Sequence, residues 1–190
     1  MPMRLPLDRQ TTALLVVDVQ EKLVPAMQHE GTPCVANVAR LLQGAQALGV
    51  RVLVTEQYPK GLGHTVPELQ AHLLAAQAVV HEKVAFAATG NAPTQALLAQ
   101  WQAQGVRTVL VCGMEAHICV HQTVRGLAAL GFEVHVVSDA CASRTADNHA
   151  IAQGLWRDSG GIVTSTEACL FDLLGQAGGD AFKLISRLIR

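Results

Sequence analysis

Charge is scarce and balanced: charged residues make up 15% of the 190-residue chain, and the formal net charge is −1. Nothing in that balance recruits nucleic acid or an anionic lipid surface by bulk attraction. Long apolar runs are also missing. No stretch approaches the roughly 18 apolar residues of a membrane span. The opening Met-Pro-Met-Arg-Leu-Pro-Leu-Asp has no apolar stretch long enough for a signal peptide. Cysteine pairs are lacking as well. The five cysteines (Cys34, Cys112, Cys119, Cys141 and Cys169) are odd in number, scattered and never spaced as C-x-x-C. That argues against a disulfide framework or a zinc cage and for a reducing compartment. A cytoplasmic protein without nucleic-acid or membrane partners is expected.

What is present is apolar and repetitive. Half of the residues are hydrophobic, and the length suits one domain with a sizeable core. The first buried strand reads Thr12-Ala13-Leu14-Leu15-Val16-Val17-Asp18-Val19. The unit Ala47-Leu48-Gly49-Val50-Arg51-Val52-Leu53-Val54 recurs at Ala103–Val111 and at Ala129–Val137, and more loosely at Ser159–Thr164. Each copy is a helix end, a glycine suited to a left-handed cap, and a short apolar strand. Repeated helix–glycine–strand units mean parallel strands joined by crossover helices. Another strand is expected at Ala78–Lys83, and helices near 33–48, 65–76, 93–104, 117–130, 145–158 and 166–174. The predicted fold is a single three-layer α/β/α domain over residues 1–190, with a doubly wound, roughly six-stranded parallel sheet. The tail from Asp180 to Arg190 carries an apolar stripe (Phe182, Leu184, Ile185, Leu188, Ile189). Packing on its own domain is expected, with a subunit interface as the alternative.

Three strand ends carry an acid, a lysine and a thiol: Asp18, Lys83 and Cys119. The run Val109-Leu110-Val111-Cys112 reads as a buried central strand that stops at Gly113, and a helical pattern begins at His117. Cys119 therefore falls in the first turn of a helix beyond a strand's carboxyl end, where open α/β sheets bind ligands and where a thiolate is stabilised. A nucleophilic cysteine needs a base and positive potential. Asp18 could serve as the base, and Lys83 could hold Asp18 and lower the thiol pKa. Backbone N–H groups of the Gly113–Cys119 turn could form an oxyanion hole. Each residue also has a plain structural use: Asp18 as a helix cap, Lys83 as a solvated strand-end charge, Cys119 as a small buried apolar group.

Leu15-Val16-Val17-Asp18-Val19-Gln20, the Glu82-Lys83 strand end and Cys112-Gly113-Met114-Glu115-Ala116-His117-Ile118-Cys119-Val120 resemble the isochorismatase-like cysteine hydrolases, in family order. Thr55–Gly63 and Ser138–Arg144 look most like the isochorismatase-domain-containing hydrolases of undefined substrate. The resemblance implies Asp18 as general base, Lys83 as its partner and Cys119 as nucleophile. It also implies a cis peptide at Met114–Glu115 and oxyanion donors at the N–H groups of Glu115 and Cys119. It further implies a homo-oligomer. The nicotinamidase branch carries an Asp-x-His metal motif where this chain reads Gln57-Tyr58-Pro59, so no metal or other cofactor is expected. Isochorismatase proper lacks the cysteine and cleaves a vinyl ether, so Cys119 favours the amide-hydrolysing side.

The substrate is expected to be a small molecule, with Gln57, Tyr58, His64 and His117 as candidate contacts. His117 and His121 are four apart on a helix, a spacing that suits two metal ligands, but no acid completes a set. Asp139 and Arg144 are read as a pair that fixes the loop before the helix at 145. Two other functions compete. A nucleotide-binding oxidoreductase is disfavoured because Asp18-Val19-Gln20-Glu21-Lys22-Leu23 has no glycine fingerprint. A non-catalytic interaction or small-molecule-binding protein on the same fold would have no need of acid, lysine and thiol together.

Overall fold

The structure is a computed structural model that describes residues 6–27 and 30–190. Six parallel strands form one sheet in the order β3-β2-β1-β4-β5-β6. They are β1 (Thr12–Val17), β2 (Arg51–Gln57), β3 (Val79–Lys83), β4 (Thr108–Met114), β5 (Glu133–Ala142) and β6 (Ile162–Thr164). β1 and β4 are buried along their whole length, as apolar parallel strands covered on both faces must be. The helices are α1 (Gly31–Leu48), a single turn α2 (Pro59–Leu62), α3 (Pro67–Ala75), α4 (Ala92–Ala103), α5 (His121–Ala129), α6 (Ala146–Asp158), α7 (Thr166–Leu174) and α8 (Gly179–Leu188). Helix α1 packs with α3, α7 and α8, and α5 packs with α6.

The helix–glycine–strand repeats have the expected geometry. Gly49 ends α1 at φ 70°, and Gly105, Gly131 and Gly160 sit at φ 97°, 85° and 83° before β4, β5 and β6. From β1 the chain builds outward to β3, then crosses back and starts β4 on the other side of β1. The strand order therefore reverses between β1 and β4. That reversal opens the crevice in which doubly wound sheets place their ligands.

Three readings need correction. Strand β5 continues to Ala142, and its pairing with β4 slips: Val111 faces Val136, but Gly113 already faces Cys141. Ser138 and Asp139 thus lie inside a bulged strand rather than in a loop after it. The expected helix at 117 is preceded by a wider π-helical turn, Ala116–Val120, before α5 begins. The glycine-rich segment after β2 folds into α2 instead of remaining an open loop. The tail packs on its own domain: Ile185 of α8 is fully buried and Arg40 Nε of α1 donates to the Leu188 carbonyl at 2.8 Å.

Gly113 is the tightest point of the sheet. It sits at φ 117°, and a Cβ there would lie 2.0 Å from the Val17 carbonyl oxygen of β1. Gly113→Ala is expected to lower the unfolding free energy by roughly 2–4 kcal/mol. Gly154→Ala, in open space on α6, should raise it by about 0.5–1 kcal/mol. Urea denaturation of the two variants checks both signs.

Candidate active site

Asp18 is the first residue after β1. It adopts φ 54°, a left-handed conformation that non-glycine residues seldom take and that clusters at functional sites. Its N–H donates to the Thr55 carbonyl at 3.0 Å, so β2 fixes the turn. Its carboxylate is wholly buried. Oδ1 accepts from Thr55 Oγ1 at 2.7 Å, and Oδ2 accepts from Lys83 Nζ at 2.6 Å.

The Lys83 ammonium is equally buried, and its proton-accepting neighbours are numerous. Besides Asp18 it donates to Gln57 Oε1 at 2.7 Å, to the Phe86 carbonyl at 3.0 Å and to the Ala85 carbonyl at 3.2 Å. Four acceptors saturate three N–H bonds, so this cation holds its surroundings in place and has no proton free for a ligand. Gln57 stands directly across from Lys83 in the β2–β3 register. Its amide nitrogen donates to the Val84 carbonyl at 2.8 Å, so both ends of the side chain are engaged within the protein.

Cys119 enters from β4. Its thiol faces the Asp18 carboxyl and the backbone N–H of Glu115, and only 7% of the residue is exposed. The π-helical turn that carries it is pinned by Trp156, a fully buried side chain of α6 whose Nε1 donates to the Ala116 carbonyl at 3.2 Å. The Met114–Glu115 peptide bond is cis.

Burial and the neighbouring Asp18 carboxylate push the Cys119 thiol up to about 12, against the opposing pull of Lys83 and the Glu115 N–H. Lys83 thus draws the thiol down, the direction expected of it, without setting the balance. Desolvation and a carboxylate in contact outweigh a cation that is already paired. Burial also raises Asp18 above the usual carboxylate range, although Lys83, Thr55 and Cys119 oppose the rise. Both shifts run in the direction that favours the protonated form of the group.

The other candidates are spread out. Tyr58 is 54% exposed and lines a cavity of about 380 Å³ with Pro59, Lys60, Lys83 and Asn91. His64 turns to Glu56 at 2.8 Å, where burial of the acid is outweighed by the Thr65 N–H and the imidazole, and Glu56 is held below its ordinary range. His117 Nδ1 lies 3.0 Å from Ser143 Oγ, and His121 Nδ1 is buried without a partner among the described residues. Among the described residues, no group of three His, Cys, Asp or Glu is placed to hold a metal. Asp139 and Arg144 do not pair. Asp139 accepts from Thr166 N–H and Oγ1 at the start of α7, and Arg144 donates to Glu115 at 2.9 Å. Sequence reasoning missed Thr55 and the use of Gln57. Their only trace was the polar run Thr55-Glu56-Gln57 that closes β2 after its apolar centre.

The chain matches the isochorismatase domain over residues 12–168. It is 39% identical over 180 residues to isochorismatase domain-containing protein 1 of Salmo salar, covering 95% of this chain but only 61% of that protein's length. It is 37% identical over 183 residues to isochorismatase domain-containing protein 2 of Danio rerio, covering 96% of this chain and 89% of that one. Among solved structures, the MAR1 ribonuclease of Caenorhabditis elegans has a TM-score of 0.88 at 35% identity, covering 97% of this chain and 92% of the other.

The electrostatics of the site make a test in which two readouts move in opposite directions. In Asp18→Asn the carboxylate that raises the thiol is gone, and Lys83 faces Cys119 without it. Alkylation of Cys119 by iodoacetamide near pH 8 is expected to accelerate relative to the unmodified protein, read by peptide mass spectrometry. A rate that falls instead would mean that Asp18 ionises the thiol at rest.

Proposed function

The chain belongs to the isochorismatase domain family, and on that footing we propose that it is a cysteine hydrolase of a small-molecule C–N bond, an amide or close relative. The observation that carries this reading is a fully buried carboxylate–ammonium pair, Asp18–Lys83, set against the thiol of Cys119. A buried ion pair is seldom a gain in stability over apolar packing, so its position beside a nucleophile calls for a chemical role.

In this reading Cys119 Sγ attacks the carbonyl carbon while Asp18 takes the thiol proton. Because burial and Asp18 push the thiol up, proton removal and attack occur together in this reading. The carbonyl oxygen becomes an oxyanion that accepts from the backbone N–H groups of Glu115 and Cys119. Protonated Asp18, beside a cation that disfavours keeping the proton, passes it to the leaving nitrogen. The amine departs and a thioester remains on Cys119. Asp18 then removes a proton from water as it attacks the thioester; the C–S bond breaks, the departing sulfur takes that proton back from Asp18, and the acid is released. Lys83 moves no proton; it keeps Asp18 aligned and returns it to the ionised form. These steps call for no metal or organic cofactor.

Tyr58 and His117 remain the candidate substrate contacts. The five free, buried cysteines suit a reducing, cytoplasmic setting, and association into a homo-oligomer belongs to the same reading. The name of the Caenorhabditis elegans relative points to RNA as a substrate. With a formal net charge of −1 this chain offers no bulk attraction to a phosphate backbone, so a small uncharged amide is the better fit.

The test is a panel of small amides and nitriles, with an RNA oligonucleotide beside them, against the unmodified chain, Cys119→Ser and Asp18→Asn. Amide turnover is expected to fall by about 10²–10⁴-fold in each variant, and intact-mass spectrometry should trap an acyl adduct on Cys119. RNA cleavage that survives Cys119→Ser would overturn the proposal.

The pH profile follows from the shifts. Turnover needs Asp18 ionised, so kcat/KM should fall toward acid pH with a midpoint above the ordinary carboxylate range. The alkaline side should stay level through about pH 9, because the thiol keeps its proton there. A second limb near pH 8 would contradict the concerted step.

A further inference from the structure

Strand β5 carries a second constellation that the Cys119 chemistry does not use. Where the β4–β5 ladder slips, between the Val136 and Cys141 pairings, the half-buried Ser138 turns its side chain to α6. Bulges re-aim side chains in this way and are frequent beside active sites. Ser138 Oγ lies 3.3 Å from His149 Nε2, and His149 Nδ1 lies 3.0 Å from Glu30 Oε2. The hydroxyl, the two imidazole nitrogens and the carboxylate thus form one continuous line.

The partners fix the direction of the protons along that line. The Glu30 carboxylate is an acceptor, and the Ser143 backbone N–H holds the same oxygen at 3.0 Å. In the neutral ring His149 Nδ1 then carries the hydrogen it gives to Glu30, and Nε2 keeps its lone pair. Gln153 Nε2 donates to Ser138 Oγ at 3.2 Å, occupying an oxygen lone pair and leaving the hydroxyl proton to point at His149. The imidazole ring is steadied edge-on by Trp156, with centroids 6.0 Å apart and planes at 64°. Nucleophile, base and orienting acid stand in the relation that recurs in serine hydrolases on unrelated folds, with a nucleophile–base distance typical of an unliganded site.

We propose that Ser138, His149 and Glu30 form a second acyl-transfer site, directed at small uncharged esters. Ser138 Oγ attacks the ester carbonyl carbon as its proton passes to His149 Nε2. The oxyanion forms beside the Gln153 amide N–H. Imidazolium then protonates the alkoxide leaving group, and the alcohol departs from an acyl-serine. Water, deprotonated by His149, releases the acid and restores the hydroxyl. The Glu30 carboxylate at the end of the line disfavours an anionic acyl group.

The experiment uses the full chain carrying Cys119→Ala, so that no adduct at the first nucleophile intervenes. It is incubated with an alkyl fluorophosphonate and mapped by peptide mass spectrometry. The expected result is an adduct at Ser138, absent from Ser138→Ala and formed at least about 10²-fold more slowly in His149→Gln. Thermal melts confirm that each variant is folded. Should His149→Gln not fold, Glu30→Gln makes the same comparison at a more exposed position, with slower labelling expected. The proposal is overturned if folded protein gives no adduct at Ser138 under conditions that fully label a serine esterase, or if removal of the histidine or the acid leaves the labelling rate unchanged.

Discussion

The buried ion pair between Asp18 and Lys83 is the constraint around which the rest of the site is arranged. Two charges with no solvent contact lose several kcal/mol of hydration each, and only complete hydrogen bonding makes such a pair tolerable. The structure meets that condition with particular groups: Thr55 on one carboxylate oxygen, Lys83 on the other, and Gln57 with two loop carbonyls on the ammonium. All of them lie at the carboxyl edge of β1, β2 and β3. A parallel sheet brings these strand ends to one level, so the register of the sheet and the satisfaction of the charges are a single requirement. A slip of β2 by one residue would turn Thr55 and Gln57 to the other face and leave both charges short of partners.

Placing the thiol inside this arrangement sets its character. Many reactive cysteines are thiolates at rest, held by a histidine or a helix end. Here the carboxylate is nearer to the sulfur in effect than the cation is, and burial weighs against the anion. Burial and the carboxylate thereby favour the protonated sulfur over the thiolate. Such an arrangement guards the sulfur against oxidation and stray electrophiles, which require thiolate. The four other cysteines, all buried, are raised by the same desolvation.

The architecture was legible because glycine placement and apolar runs report directly on backbone geometry. Gly49, Gly105, Gly131 and Gly160 each marked the step from helix to strand, and each has the positive φ that the step requires. Asp18, Lys83 and Cys119 were legible for a related reason, being chemically conspicuous residues at the ends of recognisable strands. The thiol's protonation was not, since it depends on whether Lys83 is free or already saturated, and only three-dimensional partners decide that. The bulge in β5 was hidden because Ser138-Asp139 reads as a loop, while the pairing of Gly113 with Cys141 lies beyond it. Arg144 was assigned to Asp139 by proximity in sequence, whereas Glu115 and Thr166 compete for the two side chains across the fold.

The carbonyls of Ala85 and Phe86 point inward to Lys83, while the side chains of Val84 and Phe86 face out, 80% and 55% exposed. One short segment thus has its backbone tied to the buried ammonium and its apolar surface at the rim. Thermodynamic linkage follows: anything that shifts the segment alters how strongly Lys83 is solvated by carbonyl oxygen, and so how firmly it holds Asp18 in the ionised state. The proton affinity at the centre and the occupancy of the rim become conjugate variables.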